Sequence, residues 1–549
     1  MQQRKFKAWP AALAGLVVAA VVAACGGGGD STTPSGATEA ALSSGSISAF
    51  GSVYVNGRRY TTGNARVIDD DTGAVSTASA AALEVGMVVD VKPASTGSSD
   101  AAELHLHPLA RGIVDASDST AGTLTVMGQS VQLTAATNYS DHRACVTATT
   151  SACTAIASQD ELSATSGATA GSYVSVHGYL FDDGSGSGNA QIIATLVSVR
   201  DVPTSSVPYA YKAEGVVRTA SGTTLTIGGL TVDLASATCR SGGTTVTCSD
   251  AFAAGSIVSV GAAAQPALPA TTLTAGFARA VTKIGTESAG ATVELEGGVA
   301  SVSGTTFVMR GLTVDGAALA TMPAVGDVVR VVGTVATGGQ SITATELTVL
   351  RAASSRAYGL EGDVAAVIAG SDASTFTVTV LGQSITVNTS TRLADRQTRS
   401  WSRTDPTTNP FNITTFQTYL TASASQHVLV KARTDAGGNL IAQSFTILPA
   451  ATVATIAGPV DAAPAPVNST ATRTPSTFSV HGVAVSADPA AIFQGRYGRG
   501  AGSVTIAAGE VVVVRGSFAS GTVTVGATAS RSNAVIDLGV LSRRDQCGL

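Results

Sequence analysis

A short phrase that is typical of a β-hairpin recurs six times between residues 53 and 485. Each copy alternates apolar and polar residues, turns through two residues of which the second is Gly, and alternates again. Glycine supplies the positive φ that a two-residue hairpin turn requires, so the phrase is a strong signal for paired short strands. The copies are Val53–Tyr60, Leu124–Val131, Leu225–Val232, Phe307–Val314, Val378–Ile385 and Phe478–Val485.

Further strand-like phrases surround each hairpin. An opening phrase, usually Gly-x-Val, precedes it, and a phrase of the form Gly-x-x-Val-x-Val usually follows it, as in Gly326–Val331. A last apolar stretch such as Ile342–Val349 often ends the copy. Each copy therefore predicts about five short strands in roughly 60 to 95 residues. Five such strands with one apolar face can close into a small barrel of the OB type, which leaves no long edge exposed.

We therefore predict an all-β fold, a tandem array of about six small five-stranded OB-like β-barrel modules behind a flexible tether. Ala, Val, Thr, Ser and Gly dominate the composition, which suits short strands and disfavours long helices. A continuous β-structure in which the units share sheets is the alternative. The predicted segments are a signal peptide (1–24), the tether (25–46), unit 1 (47–110), unit 2 (111–201), unit 3 (212–283), unit 4 (292–351), unit 5 (357–449), unit 6 (452–530) and a C-terminal tail (531–549).

The N-terminus has three basic residues within its first seven positions, followed by the apolar run 11–24 and a cysteine. Its end, Val22–Cys25, resembles the lipobox of bacterial lipoproteins, and the apolar run is too short for a comfortable membrane span. The resemblance implies cleavage before Cys25 and attachment of lipid, such as palmitate, to that residue. Because Gly26 stands where Asp would indicate inner-membrane retention, the expected destination is the outer membrane, on its periplasmic or its surface face. An ordinary secretory signal with a chance cysteine is the alternative.

The hairpin phrase, the Gly-x-x-Val-x-Val phrase and the lipobox together resemble a family of repeated domains in proteobacterial lipoproteins, domain-of-unknown-function family 5666. The resemblance covers most of the chain that follows the signal. Units 1 and 6 depart most from the pattern, unit 6 through a Pro/Ala-rich insertion at 461–476. The family brings no established activity, substrate or catalytic residue.

The charge balance argues against several kinds of partner. The formal net charge is −5, and removal of the three basic residues of the signal changes it to −8. A mildly acidic chain with few aromatic residues and no basic block argues against nucleic acid and against electrostatic binding to anionic lipid. The lipid on Cys25 is then the expected membrane anchor.

Four cysteines form two closely spaced pairs, Cys145 with Cys153 and Cys239 with Cys248, at the same place in successive units. In an oxidising compartment each pair predicts a disulfide that closes a loop. Metal binding by the pairs is the weaker alternative, because no histidine or second cysteine pair lies nearby at zinc-like spacing. Cys547 is left over, and a free thiol and an intermolecular link both fit its position.

Unit 5 carries a long cysteine-free insertion, 392–419, where units 2 and 3 carry their cysteine pairs. The insertion contains Trp401, the only tryptophan that follows the signal. Loops that vary on a repeated scaffold are where binding usually resides, and Trp and Arg often anchor interfaces. The alternative is a loop that packs only against its own unit. The predicted binding residues are Arg399, Trp401, Arg403 and Phe411.

The sequence has no G-x-S-x-G elbow, no H-E-x-x-H and no Walker loop. His105 and His107 share a strand face, and 69–71 is an acidic triplet, but both predict solvated surface rather than a metal site. We therefore predict no enzyme, no cofactor and no metal. The hypothesis that fits best is a structural or adhesive lipoprotein of the cell envelope that binds a partner through variable loops. The alternative is an envelope protein that binds carbohydrate or a small ligand.

Overall fold

A computed structural model divides the chain into two compact units, Met1–Thr38 and Glu39–Leu549, and all of the residues that the structure describes belong to the second. The structure describes residues 40–49, 53–71, 74–77, 83–118, 122–133, 137–147, 153, 155–156, 159–167, 169–181, 191–203, 209–241, 244–281, 289–337, 341–353, 356–370, 374–395, 397, 413–422, 425–435, 437–470, 474–494, 504–528, 530 and 534–537. Within these ranges there are 39 strands and two α-helices, so the predicted all-β class is confirmed. Neither helix in these ranges is long and apolar enough to span a bilayer.

Units 1 and 2 contain the first thirteen strands. Unit 1 has β1 (Leu42–Ala49), β2 (Val53–Val55), β3 (Arg58–Tyr60), β4 (Arg66–Asp69), β5 (Val75–Thr77), β6 (Val88–Pro93) and β7 (Ala101–Leu106). Unit 2 has β8 (Ala110–Asp118), β9 (Thr123–Val126), β10 (Gln129–Gln132), β11 (Asn138–Asp141), helix α1 (Ala144–Thr147), a 3₁₀ turn (Gln159–Glu161), β12 (Tyr173–Phe181) and β13 (Gln191–Arg200).

Units 3 and 4 follow the same plan. Unit 3 has β14 (Tyr211–Ser221), β15 (Thr224–Ile227), β16 (Leu230–Asp233), β17 (Thr238–Ser241), β18 (Thr244–Val246), a 3₁₀ turn (Cys248–Asp250), β19 (Ile257–Ala262), β20 (Thr272–Thr274) and β21 (Phe277–Ala280). Unit 4 has β22 (Thr292–Ser303), β23 (Thr306–Met309), β24 (Leu312–Asp315), β25 (Val328–Val335) and β26 (Ser341–Arg351).

Units 5 and 6 contain the remaining strands. Unit 5 has β27 (Ala357–Ala369), β28 (Thr375–Val380), β29 (Gln383–Asn388), β30 (Arg392–Asp395), helix α2 (Ile413–Ala422), β31 (His427–Thr434) and β32 (Leu440–Ile447). Unit 6 has β33 (Ala454–Pro459), β34 (Ser476–Val480), β35 (Val483–Ala487), a 3₁₀ turn (Pro489–Ala491), β36 (Ile492–Gln494), β37 (Val511–Ala519), β38 (Thr522–Val525) and β39 (Ala534–Asp537).

One pairing order recurs along the chain. An opening strand pairs with the first hairpin strand, the second hairpin strand pairs in parallel with a closing strand, and a fourth strand joins the closing strand back to the opening strand. In units 2, 4 and 5 paired strands make every step, so five-stranded barrels are confirmed there. In units 1 and 6 one of these pairings is reduced to an isolated bridge, Thr61–Asp100 in unit 1 and Val460–Val480 in unit 6. In unit 3 the closing strand is interrupted between β20 and β21.

The opening strand needs glycine because a residue of the hairpin turn packs against it and leaves no room for a Cβ atom. A Cβ on Gly112 would lie 2.7 Å from Met127, and a Cβ on Gly362 would lie 2.8 Å from Leu381. Met127 and Leu381 are the first turn residues of their hairpins and have positive φ. Each turn therefore folds back onto the opening strand, which explains why Gly-x-Val recurs in the sequence.

The barrels share sheets in pairs. The opening strands of units 2 and 3 pair antiparallel, as do those of units 5 and 6, whereas those of units 1 and 4 pair in parallel. The results are sheets of 14, 13 and 12 strands. Closed barrels and shared sheets, which the sequence presents as alternatives, thus occur together.

The apolar cores follow this pairing. One buried cluster runs through units 2 and 3, and another through units 5 and 6. Units 1 and 4 keep separate clusters, although Leu42 of β1 joins the cluster of unit 4. Two predicted boundaries differ from the structure. Strand β1 begins inside the segment predicted as tether (25–46), and β39 lies inside the predicted tail (531–549), because both strands pair with a neighbouring strand.

Candidate functional site

The connection between the second hairpin strand and the fourth strand varies most from unit to unit. We call it the cap, because its apolar side chains enter the barrel core. Ile156 and Leu162 do so in unit 2, and Phe252 does so in unit 3. Phe416 does so in unit 5, with no measurable exposure to solvent. The cap is thus the place in each unit where the sequence changes while the barrel below it stays the same.

Both predicted disulfides are formed, and both lie in caps. Cys145 bonds to Cys153 in unit 2, and Cys239 bonds to Cys248 in unit 3. Cys239 is 1% exposed and belongs to the buried cluster, while Cys248 packs against it. Each disulfide therefore holds its cap as a short closed loop.

The cap of unit 5 ends in helix α2 instead. Its apolar residues Ile413, Phe416 and Leu420 are spaced so that they share one helix face, and all three are buried. The ring of Phe416 meets Phe445 of β32 edge to face, with the centroids 5.2 Å apart. This end of the insertion packs on its own barrel, as the alternative for this loop predicts.

The other predicted site residues fall outside the part of the chain that the structure describes. These residues are Cys25, Arg399, Trp401, Arg403, Phe411 and Cys547. The described start of the insertion turns inward, because Arg392 is 7% exposed and its guanidinium donates to Ser46 Oγ of unit 1 over 3.1 Å. Both described ends of the insertion are therefore anchored in the fold.

A buried ion pair joins unit 1 to unit 3. Lys212 Nζ of β14 lies 2.6 Å from Asp71 Oδ1, and both side chains are 1% exposed. Glu214 lies 3.9 Å from the same lysine, and Arg279 lies 3.7 Å from the same aspartate. Burial alone would raise the pKa of Asp71, but the charge and hydrogen bond of Lys212 outweigh it and lower that pKa. Lys212 therefore holds Asp71 in its carboxylate form.

A second buried carboxylate, Glu84, joins unit 1 to unit 2. One of its oxygens lies 2.7 Å from His142 Nε2 and 3.0 Å from Arg200 Nη2. The hydroxyls of Ser140 and Ser198 also donate hydrogen bonds to the Glu84 carboxylate, one to each oxygen. Burial would raise the pKa of Glu84, but His142, Arg200 and Ser140 outweigh burial and lower it. The outer faces of units 1 and 2 therefore meet through charge.

The prediction that His105, His107 and the acidic triplet form a solvated surface is wrong. Asp70 Oδ1 lies 2.7 Å from His105 Nδ1, and Asp70 Oδ2 lies 3.5 Å from His107 Nδ1. Burial would raise the pKa of Asp70, but the hydrogen bond from His105 and the nearby His107 outweigh burial and hold that pKa well below its usual range. The third acid of the triplet is the Asp71 that pairs with Lys212. The described residues contain no group of three or more His, Cys, Asp or Glu side chains that could hold a metal ion.

These contacts escaped prediction because they lie on the outer barrel faces. Along a strand, side chains alternate between core and exterior, so polar outward residues predict solvent. One signal was available in the sequence, because a charged residue directly precedes the glycine of several opening strands. These residues are Arg111, Glu214, Glu296 and Glu361. Glu214 and Glu296 are buried, at 4% and 8% exposure.

The fold and the caps together define a class of protein, a repeat protein of small β-barrels that vary at their caps and pack through charged outer faces. The family model described as Domain of unknown function (DUF5666) matches residues 111–186, 361–444 and 458–525. The matched segments fall in units 2, 5 and 6, so the resemblance of the chain to a repeated domain of unknown function is confirmed in three segments. No curated protein matches the chain.

Proposed function

We propose that this protein is a non-enzymatic lipoprotein of the cell envelope that binds an envelope partner through the cap of unit 5. The observation that carries the proposal is the contrast between strands and caps. The barrel strands repeat, whereas two caps carry disulfides and the third carries an anchored insertion with helix α2. Variable connections on a rigid scaffold are the usual place for binding residues.

Trp401 and Arg403 should anchor the contact between the cap of unit 5 and its partner, since Trp and Arg often dominate the binding energy of protein interfaces. The test is in-cell crosslinking of the lipid-anchored protein, followed by mass spectrometry of the crosslinked proteins. One abundant envelope protein, linked through 392–419, supports the proposal. The double variant Trp401→Ala/Arg403→Ala should lose this link, while the exposed control Arg240→Ala should keep it. A link that survives the double variant contradicts this assignment of the binding residues.

The envelope location rests on the lipobox resemblance and is tested separately. Lipid attachment at Cys25 requires its thiol, so Cys25→Ser should move the protein from the membrane fraction to the soluble fraction. Full retention of the variant in membranes would show that the anchor is not this lipid. Capture of a glycan in place of a protein would favour the alternative, a carbohydrate-binding envelope protein.

A further inference from the structure

A cluster of polar side chains lies where unit 1 meets unit 3. Lys212 and Glu214 of β14, Ser259 of β19 and Arg279 of β21 share the outer face of unit 3, because Glu214 pairs with Ser259 and Ser259 with Arg279 across the sheet. Asp71 of unit 1 lies on this face, with its Oδ1 2.6 Å from Lys212 Nζ and 3.7 Å from Arg279 Nη2. A lysine, a carboxyl group and two further charged groups thus meet at one place.

The ion pair leaves part of this cluster unsatisfied. Asp71 Oδ2 and Glu214 Oε2 each lack a hydrogen-bond partner among the described residues, and both residues are buried. Glu214 Oε2 lies 3.9 Å from Lys212 Nζ, which is too far for a hydrogen bond. Buried polar atoms normally have a partner, because an unmade hydrogen bond costs free energy. The cluster therefore has a cost in the ion-pair state that a rearrangement of its bonds could remove.

The groups present are those that amide formation between two side chains requires. A lysine amine is a nucleophile once it has lost a proton, and a carboxyl carbon is the atom that it attacks. Side chains that the fold holds in contact react far faster than the same groups free in solution. Glu214 supplies a carboxylate near the amine that can act as a base. The positive charge of Arg279 can stabilise negative charge that develops on the Asp71 carboxyl group.

We propose that Lys212 Nζ and Asp71 Cγ join in an isopeptide bond in the folded chain, with Glu214 as the base. In the ion pair Asp71 is a carboxylate, so the reaction begins when one proton moves from Nζ to Oδ1. Nζ then attacks Cγ, the bond from Nζ to Cγ forms, and the bond from Cγ to Oδ1 breaks. Glu214 carries a second proton from Nζ to the departing hydroxyl, which leaves as water. No group is oxidised or reduced.

The product satisfies the cluster better than the ion pair does. A neutral amide replaces two buried charges, whose removal from water is costly. The N–H of the new amide donates to Glu214 Oε2, so this buried oxygen gains the partner that it lacks in the ion pair. The cluster therefore favours the bond both by position and by charge.

The bond has a consequence for the architecture. It joins positions that are 141 residues apart and so closes a covalent loop that contains all of unit 2. Tension applied at the N-terminus then reaches unit 3 through the bond without unfolding unit 2. The site is separate from the cap of unit 5 and does not depend on the function proposed for that cap.

Intact-mass spectrometry of the purified full-length chain, after reduction of its disulfides, tests the bond directly. The wild-type chain should be lighter than expected by the mass of one water molecule. Its tryptic digest should contain one branched peptide in which Lys212 is joined to Asp71. A full mass, or a loss of water without this branched peptide, would show that the bond does not form.

Two variants assign the loss of water to this cluster. Lys212→Arg keeps a cation opposite Asp71 but cannot form the amide, so it should show its full mass. Glu214→Gln keeps both reacting groups and removes the base, so most of this chain should also show its full mass. A loss of water that persists in Lys212→Arg comes from another site and overturns the proposal. Complete reaction of Glu214→Gln would contradict the role of Glu214.

Glu103→Gln is the matched control. Glu103 is a partly exposed carboxylate of unit 1 that pairs with Arg66 rather than with Lys212. This variant should lose one water as the wild type does, and a full mass in it would contradict the assignment to Glu214. Because Glu214→Gln holds Lys212 and Asp71 without joining them, it is also the background in which the strength of the ion pair itself can be measured.

Discussion

Both faces of strand β14 are buried, the inner face among apolar side chains and the outer face among charged ones. On the inner face Tyr211 and Ala213, 4% and 0% exposed, join the apolar cluster that units 2 and 3 share. On the outer face Lys212 and Glu214, 1% and 4% exposed, lie against unit 1. One strand therefore belongs both to an apolar core and to a charged contact between units.

The two contacts differ in how they respond to change. Apolar burial is non-directional, and cores tolerate substitutions that preserve volume. A buried ion pair tolerates removal of both charges but not of one, because the remaining charge is left without compensation in a medium of low dielectric. The charged contact should therefore be the more sensitive of the two to single substitutions.

The largest effect should come from Lys212→Met. It removes the cation that lies 2.6 Å from Asp71 while the carboxylate stays buried. The expected loss in the free energy of unfolding is about 3–5 kcal/mol, measured by urea denaturation of the full-length chain. The double variant Lys212→Met/Asp71→Leu should recover most of this loss, since no charge of the pair remains. If the double variant is as unstable as the single one, lost packing rather than the isolated charge is the cause.

A second test concerns pH. His177 of β12 is 4% exposed, and burial lowers its pKa from 6.5 to about 3. The unfolded chain takes up a proton near pH 6.5 and the folded chain does not, so stability falls as the pH drops between these values. Relative to wild type, His177→Gln should retain about 2 kcal/mol more of its stability between pH 6.5 and 4.5. Urea denaturation at both pH values measures the difference.

His105→Gln is the matched control, because the pKa of His105 shifts the other way. The hydrogen bond to Asp70 raises that pKa above 6.5. The stability that protonated His105 contributes is therefore present below pH 6.5 and is lost as the pH rises through the pKa of His105 in the folded chain. His105→Gln should reduce the loss of stability at alkaline pH and leave the change between pH 6.5 and 4.5 as in wild type. Equal pH profiles for both variants and wild type would contradict this assignment of the titrating groups.

A smaller effect is expected where units 2 and 3 meet through their apolar faces. The Tyr173 hydroxyl donates to the carbonyl of Ala210, and both residues are buried. Tyr173→Phe keeps the edge-to-face contact with Tyr211 and should cost about 1–2 kcal/mol, the price of one buried carbonyl without its donor. Tyr211→Phe, whose hydroxyl donates to the exposed Gln265 instead of a buried carbonyl, is the control and should cost less. Equal losses in the two variants would show that the hydrogen bond is not the cause.

The sequence predicted what depends on neighbours along the chain. The hairpins, the opening Gly-x-Val strands and both disulfides follow from local spacing, because turn geometry and loop closure involve residues close in sequence. The contact of Lys212 with Asp71 spans 141 positions, and no local pattern indicates that one barrel covers the outer face of another.

The smallest effect should come from an ion pair with similar geometry at the surface. Arg66 Nη1 lies 2.8 Å from Glu103 Oε1, close to the separation of Lys212 and Asp71, but the arginine side chain is 58% exposed. Water screens this pair, so Arg66→Gln should cost about 0.2–1 kcal/mol by urea denaturation. Burial rather than distance then accounts for the difference from Lys212→Met. A loss in Arg66→Gln as large as that in Lys212→Met would mean that distance, not burial, sets the strength of these contacts.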